Sequence, residues 1–266
     1  MIARILKYKL AKNGRGLLGV ITLSVAYYAI ALFRFFSDTN ELFSTEIGFL
    51  DALVHFYAGN QPFNPLHDTT FTIPLEWITL QVLIAFFVGF HANDDLHAGS
   101  APVIVRSANS QSWWAAQCIW TICIVMLVYA IGVFAAAAAC LATHGSFWSF
   151  DSTRAFFGMN IMENANLPAT IAALAIAPCA SCALSLVQIT IASIRGSFTG
   201  LLLTMLYQTV SAYSSSPLLS GDCGMVVRNI AWGGTFQTPW CLLTCITITL
   251  VIFIVGIRIM EHHDLC

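Results

Sequence analysis

The sequence predicts an all-α, polytopic membrane protein, and three observations carry that prediction. Charged residues make up 9% of the chain against 58% hydrophobic, whereas a soluble domain carries about 25% charged residues; so few charges cannot clothe a water-facing surface. Six apolar segments approach the roughly 20 residues that cross a hydrocarbon core. Five of the eleven basic residues, Arg4, Lys7, Lys9, Lys12 and Arg15, stand directly before the first of these segments. That arrangement holds an N-terminus on the cytoplasmic side. The near balance of 11 basic and 13 acidic residues gives no reason to expect nucleic-acid binding.

The first ten residues read as an interfacial helix. Ile2, Ile5, Leu6 and Leu10 share one face with Arg4, Lys7 and Arg15 opposite, the pattern of a helix lying flat on the membrane. Lys9 falls on the apolar side and would have to snorkel, and Gly14 and Gly16 permit a bend. Leu17 to Phe33 follows, broken only by Thr22 and Ser24. With no small-residue cleavage site after it, this run is expected to be a retained first helix rather than a signal peptide. The six spans fall near 17–36, 73–90, 114–141, 168–194, 197–213 and 239–259, in a single transmembrane domain covering 1–266. The fourth and fifth, separated only by a turn at Arg195 and Gly196, must be antiparallel neighbours, and Pro178 is expected to kink the fourth.

With the N-terminus inside, the cytoplasmic side receives Arg4, Lys7, Lys9, Lys12, Arg15, Arg106, Arg195 and Arg258, and the exterior only Arg34, Arg154 and Arg228. That is the asymmetry the positive-inside rule requires. Six spans then return the C-terminus to the cytoplasm. Trp77, Trp148, Trp232 and Trp240 fall near the outer boundary and Trp113 and Trp114 near the inner one, positions suited to interfacial belts. The exterior loops are 37–72 and 214–238. The first carries an amphipathic helix, Glu46 to Tyr57; in the second, Met225 to Trp232 is apolar enough to dip back as a re-entrant cap. Asp222 and Arg228 count as exterior charges. The sizeable inward loop is 91–113.

Absent chemistry narrows the function. No Asp, Glu, Lys, Arg or His stands in the middle of a span, whereas proton relays, ion-coupled carriers and intramembrane hydrolases usually need at least one. The only lysines are Lys7, Lys9 and Lys12, and no Gly-Lys pair occurs, so a P-loop that sets its Lys on phosphates is excluded. Energy must come from another subunit. Seven cysteines (Cys118, Cys123, Cys140, Cys179, Cys182, Cys241 and Cys245) lie in apolar runs and read as small hydrophobes, the Cys179–Cys182 pair included; Cys223, in a loop, has no obvious partner. His262 and His263 on the tail, and His91 and His97 around Asp94 and Asp95, lack ligand geometry, so no metal site is expected. Gln81, Gln188 and Gln208 are lone polar groups in spans that either bond between helices or line a translocation path.

The stretch from Ile73 to Gln117 carries a series of elements in order: Ile73-Pro74-Leu75-Glu76-Trp77, Asp95-Leu96-His97-Ala98-Gly99, Val105-Arg106-Ser107 and Trp113-Trp114. In this the chain resembles the permease subunits of ABC-2 type ABC exporters, especially the six-span bacterial kind. The resemblance implies a permease that carries no cofactor of its own, in a bacterial plasma membrane. It would pair with a separate ATP-binding subunit holding ATP and Mg and with a second permease chain, identical or not. It further implies a coupling segment that docks on the ATPase, here with Asp94, Asp95, His97, Gly99, Arg106, Ser107, Trp113 and Trp114. Where the family pattern has a further basic residue after the Arg-Ser pair and a Lys opening the next span, this chain has Ser110 and Gln117. With no charge in mid-span, the expected cargo is hydrophobic or amphipathic: a peptide, a lipid-like molecule or a drug. The alternative is a membrane scaffold or sensor that anchors a cytoplasmic partner without transport.

Overall fold

The computed structural model describes residues 2–40, 47–63, 73–97, 110–148, 167–214, 216, 219–232 and 234–263, with backbone alone for residues 15, 38–40, 90–97, 110, 231, 262 and 263. Every regular element among the described residues is helical. They are α1 (Ile2–Lys12), α2 (Gly14–Asn40), α3 (Phe49–Tyr57), α4 (Leu75–His97), α5 (Ser110–Ala142), α6 (Leu167–Arg195), α7 (Ser197–Tyr213), the single turn α8 (Ser220–Cys223) and α9 (Thr238–His263). Two 3-10 turns, Val226–Arg228 and Ile230–Trp232, lie between α8 and α9.

Four helices are long and apolar enough to cross a membrane, through Gly16–Ser37, Gln111–Ala142, Leu167–Arg195 and Thr238–Glu261. The apolar part of α4 is shorter, Leu75–Gly89, and α7 has 17 residues. Large apolar side chains such as Phe33, Phe134, Phe198 and Leu250 point outward from these helices. Exposed apolar surface on this scale marks a protein embedded in a membrane.

Side-chain contacts fix the helix directions. Ser181 and Gln188 of α6 reach Gln81 and Ala85 of α4, in the same order along both helices, so α4 and α6 run alike. Gln111 and Trp114 at the start of α5 bond to Glu261 and to the Phe253 carbonyl late in α9, so those two are antiparallel. Gly196, at φ +91°, reverses the chain between α6 and α7; a positive φ of this kind suits glycine alone. Thus α2, α5 and α7 run away from α1, while α4, α6 and α9 run back. The α6–α7 neighbours are antiparallel, as the tight turn between them requires. Pro178 sits within α6 without ending it.

Several expectations are corrected. The helix that α4 forms continues to His97 and α5 begins at Ser110, so the inward loop drawn at 91–113 is helical at both margins. Trp77, Trp113, Trp114 and Trp232 are buried inside the bundle; of the expected belt residues only Trp148 and Trp240 face outward. Gly256 lets Trp114 in, because a Cβ there would collide with the indole. The amphipathic ring of tryptophan suits the membrane interface, but the same ring fills space between helices whose neighbours are Gly and Ala. The predicted amphipathic helix exists as α3, yet it is covered on both faces, with Leu50, Asp51, Leu53, Val54 and Phe56 all buried. It is wedged between α2 and α5 instead of lying on a surface.

On α1 the buried side chains are Ile5 and Lys9, while Leu10 is exposed. Ile5 packs on Ala116 of α5, with Ile2 and Leu6 beside it. Lys9 does not snorkel: its ammonium donates to the Gln117 side-chain carbonyl. A charge-assisted bond of this kind contributes about 1.5–3 kcal/mol, and an ammonium deprived of it keeps the desolvation cost. Gln117→Leu is therefore expected to destabilise the protein by about 2 kcal/mol. Lys9→Met/Gln117→Leu should return close to the parent value, since both partners then become apolar. Thermal unfolding of the four proteins in detergent gives the cycle; equal losses in Gln117→Leu and the double variant would contradict it.

Candidate functional site

At the end of the bundle remote from α1, three short segments plug the space between the long helices: α3 with residues 58–63, α8, and the 3-10 turns. We call this the cap. Met225 to Trp232 reads as apolar in sequence because it goes inward. Val226, Val227 and Trp232 join the main hydrophobic core, and Met225 packs on Trp77 and Ala212. The cap is stitched to the segment after α3 by Val227 N–H donating to the Ala58 carbonyl (3.1 Å) and Gln61 Nε2 to the Val227 carbonyl (3.3 Å).

The centre of the cap is Arg228, 1% exposed, paired with Asp222, 0% exposed. Nη1 donates to Asp222 Oδ1, to the Ser211 carbonyl and to the Ser214 carbonyl, each at 2.6 Å. Nη2 donates to the Ala212 carbonyl at 2.7 Å and to Asn60 Oδ1 at 3.3 Å, and Nε to the Asn60 carbonyl at 2.9 Å. Those six contacts exceed the five N–H donors of a guanidinium, so every donor is used. Three of the acceptors are carbonyls at the C-terminus of α7, which have no intrahelical partner and lie at the negative end of that helix. The second carboxylate oxygen of Asp222 accepts from Ser216 N–H at 2.7 Å. One cation thus closes a helix end and joins its own turn to three other segments: the one holding Asn60, the end of α7, and α8.

Beneath the cap, one polar side chain from each of six helices forms a chain across the bundle. Tyr28 of α2 and Tyr57 of α3 share a hydroxyl contact at 3.2 Å. The Tyr57 ring packs on Tyr129 of α5. The Tyr129 hydroxyl pairs with Ser181 Oγ at 2.8 Å, Gln81 Nε2 donates to Ser181 Oγ at 3.0 Å, and Gln208 Nε2 donates to Gln81 Oε1 at 3.3 Å. Gln188 stands apart and donates to the Ala85 carbonyl at 2.7 Å. All three glutamines are buried and bond between helices, the first of the two roles open to them.

The other end carries the residues singled out for docking. Asp94, Asp95 and His97 lie in the last turns of α4, described by backbone only; Gly99, Arg106 and Ser107 fall outside the described residues. Trp113 and Trp114 are buried at the start of α5, so they anchor that helix instead of presenting a surface. The structure adds α1, which packs against the same first turns of α5 and exposes Arg4, Lys7 and Tyr8. A cleft of about 380 Å³ opens nearby, lined by Phe86, Gly89, Arg195 and Phe198. Among the described residues no group of three or more His, Cys, Asp or Glu side chains is placed to hold a metal ion. Sequence reasoning misses the Asp222–Arg228 pair; its signal is two opposite charges in a stretch otherwise apolar. No family model, curated protein or solved structure matches this chain.

Burial pushes the Asp222 carboxyl up to about 6, and the Ser216 amide and Arg228 offset this only in part. The folded state therefore binds the Asp222 proton more tightly than the unfolded chain, whose value lies near the usual ~3.9. The stability this contributes is complete below that range and fades as pH rises through about 6. Unfolding midpoints measured from pH 4 to 8 should fall across this window more in the parent than in Asp222→Asn, which cannot titrate. Arg228→Leu should cost about 3–5 kcal/mol at neutral pH, because it leaves a buried carboxylate and the α7 carbonyls unpaired. A parent curve parallel to that of Asp222→Asn would contradict the first expectation, and an unchanged midpoint in Arg228→Leu the second.

Proposed function

We propose that this chain is the membrane permease of an ATP-driven exporter resembling the ABC-2 type. It would contribute six spans, with α4 and α7 crossing alongside the four long helices and both termini in the cytoplasm of a bacterial cell. Its energy would come from ATP and Mg on a separate ATP-binding subunit, and a second permease copy, identical or not, would complete the pathway for a hydrophobic or amphipathic cargo. The observation that carries this reading is one of placement. The α4–α5 connection, which holds Asp95-Leu96-His97-Ala98-Gly99 and Val105-Arg106-Ser107, leaves and re-enters the bundle at the end where α1 lies, a helix with exposed Arg4 and Lys7.

Arg106 is the one fixed positive charge of that connection. Where the family pattern sets a positive charge at the start of the next span, this chain has Gln117, which accepts from the buried Lys9 ammonium of α1. α1 and the connection would then form one docking face. Movement of the ATPase pair would act on α4 and α5 as rigid levers, which requires only that the face be gripped differently in two states. The buried polar chain and the Arg228 cap are compatible with the same picture, since they tie the helices of one unit to one another.

The test is purification of the tagged chain from its native membrane, with mass spectrometry of what accompanies it and measurement of ATP turnover. An ATP-binding subunit is expected to co-purify, and Arg106→Glu should lower its yield at least about fivefold, a loss of about 1 kcal/mol or more, while leaving insertion of the chain intact. Recovery of the folded bundle with no ATPase, or equal yields from parent and variant, would overturn the reading. A partner held without ATP turnover would favour the scaffold.

A further inference from the structure

At the cap end of the bundle, a crevice between α2 and α4 carries both signs of charge on its wall. A cavity of about 230 Å³ is lined there by Tyr27, Ile30 and Arg34 of α2 and by Leu75, Glu76 and Thr79 of α4, among others. Arg34 lies one turn before the end of the apolar span Gly16–Ser37, and Glu76 is the second residue of α4. Both charges therefore sit at the depth where hydrocarbon gives way to headgroups. α2 runs toward the cap and α4 away from it, so Arg34 and Glu76 form the rim, while Tyr27 and Thr79 lie deeper. Ile30 and Leu75 are exposed apolar walls. The Tyr27 hydroxyl donates to the Glu76 backbone carbonyl at 2.8 Å, which pins the start of α4 to α2 and holds the rim in place.

The rim is only partly satisfied by its own pair. Arg34 Nη1 reaches Glu76 Oε1 at 3.4 Å, and the two side chains are 52% and 30% exposed. A well-made bond between such charges measures about 2.7–2.9 Å. Among the described residues no other acceptor meets the guanidinium, and no donor meets Glu76 Oε2. A guanidinium has five N–H donors, so most of them are open toward the crevice mouth. An exposed pair this loose contributes little to stability, yet it sets a cation and an anion side by side above an apolar groove.

We propose that this crevice is a binding site for a phospholipid whose headgroup ends in a primary ammonium. The Arg34 guanidinium takes the phosphate, for which its planar fork is suited. The ammonium donates to the Glu76 carboxylate, and an acyl chain lies over Ile30 and Leu75. Charge complementarity selects this class of lipid. An anionic headgroup would set a second negative charge against Glu76, and a quaternary ammonium has no N–H to give it. Quaternary ammonium groups are held by cages of aromatic rings, whereas the described lining offers the single ring of Tyr27. The site depends on the chain being embedded in a membrane and not on the exporter reading.

Native mass spectrometry of the purified full-length chain tests the site. The protein in detergent is mixed with dioleoyl phosphatidylethanolamine, phosphatidylcholine or phosphatidylglycerol, which share their acyl chains and differ only in headgroup. The parent is expected to retain the ethanolamine lipid at least about fivefold better than either of the others, a difference of the size one well-placed charge contact gives. Arg34→Gln should lower that retention at least about fivefold, and Glu76→Gln should bring the ethanolamine and glycerol lipids to about equal retention. Thr79→Trp fills the crevice from an exposed position and should lower retention as Arg34→Gln does. Thermal midpoints in lipid-free detergent are expected to stay near the parent value in all three variants, since each change is made at a residue outside the core. Free phosphoethanolamine at the same concentration should leave the lipid in place, because it brings no acyl chain. Equal retention of the three lipids by the parent, a parent that prefers the glycerol or choline lipid, the parent's preference persisting in both Arg34→Gln and Glu76→Gln, or displacement of the lipid by free phosphoethanolamine would overturn the proposal.

Discussion

A single buried guanidinium holds the cap of this bundle together. Arg228 is taken out of water at a cost of several kcal/mol, and the cost is offset only because every N–H finds an oxygen: one carboxylate, and five acceptors from Asn60 and the end of α7. The same bonds finish α7, a short helix of 17 residues. They also set the depth of the loop, since Arg228 cannot reach Ala212 unless Val226, Val227 and Trp232 enter the core. From that depth follow the position of Ala58 and Tyr57, the contact of Tyr57 with Tyr28 and Tyr129, and the polar chain beneath.

The two ends of the bundle solve one problem in different ways. In a membrane an unpaired polar group has no water to fall back on. At the cap end the answer is a plug of short segments around an ion pair. At the α1 end it is a helix laid across the start of α5, with Lys9 on Gln117 and Trp114 donating to the Phe253 carbonyl. In between, Gln81, Gln208, Ser181 and Tyr129 bond to one another across four helices, leaving Gln208 Oε1 without a partner. Interhelical bonds of this sort contribute about 0.6 kcal/mol each on average, so their effect is less on stability than on register. A helix that slid by one turn would lose its own links in this chain of bonds, so the chain holds the helices in register.

Much of this is legible from apolar run length and charge placement. The six helices, their alternation and the tight turn at Gly196 follow from those two signals, because run length and turn chemistry are local. Tertiary partners are not local, and there the sequence misleads. Lys9 reads as the awkward member of the apolar face of α1, to be resolved by snorkelling; the structure buries it instead, because Gln117, 108 residues away, offers an acceptor. Trp77, Trp113, Trp114 and Trp232 read as belt residues since a hydropathy argument cannot distinguish an indole facing lipid from one facing glycine. Cys223 reads as an isolated loop residue because the side chains of its apolar cluster, Ile176, Ala180 and Ala183 of α6 with Cys241 and Cys245 of α9, are distant in sequence. The docking residues Gly99, Arg106 and Ser107 rest on resemblance alone.

The layout of the bundle within the membrane is tested most directly by protease access to inserted epitopes. A tag at either terminus or within 149–166, one tag to each protein, is digested in intact cells and again after permeabilisation. If α1 and the end of α9 lie in the cytoplasm and the cap lies outside, the tag within 149–166 is cut in intact cells and both terminal tags only after permeabilisation. Termini on opposite sides, or terminal tags cut from outside, would contradict that layout.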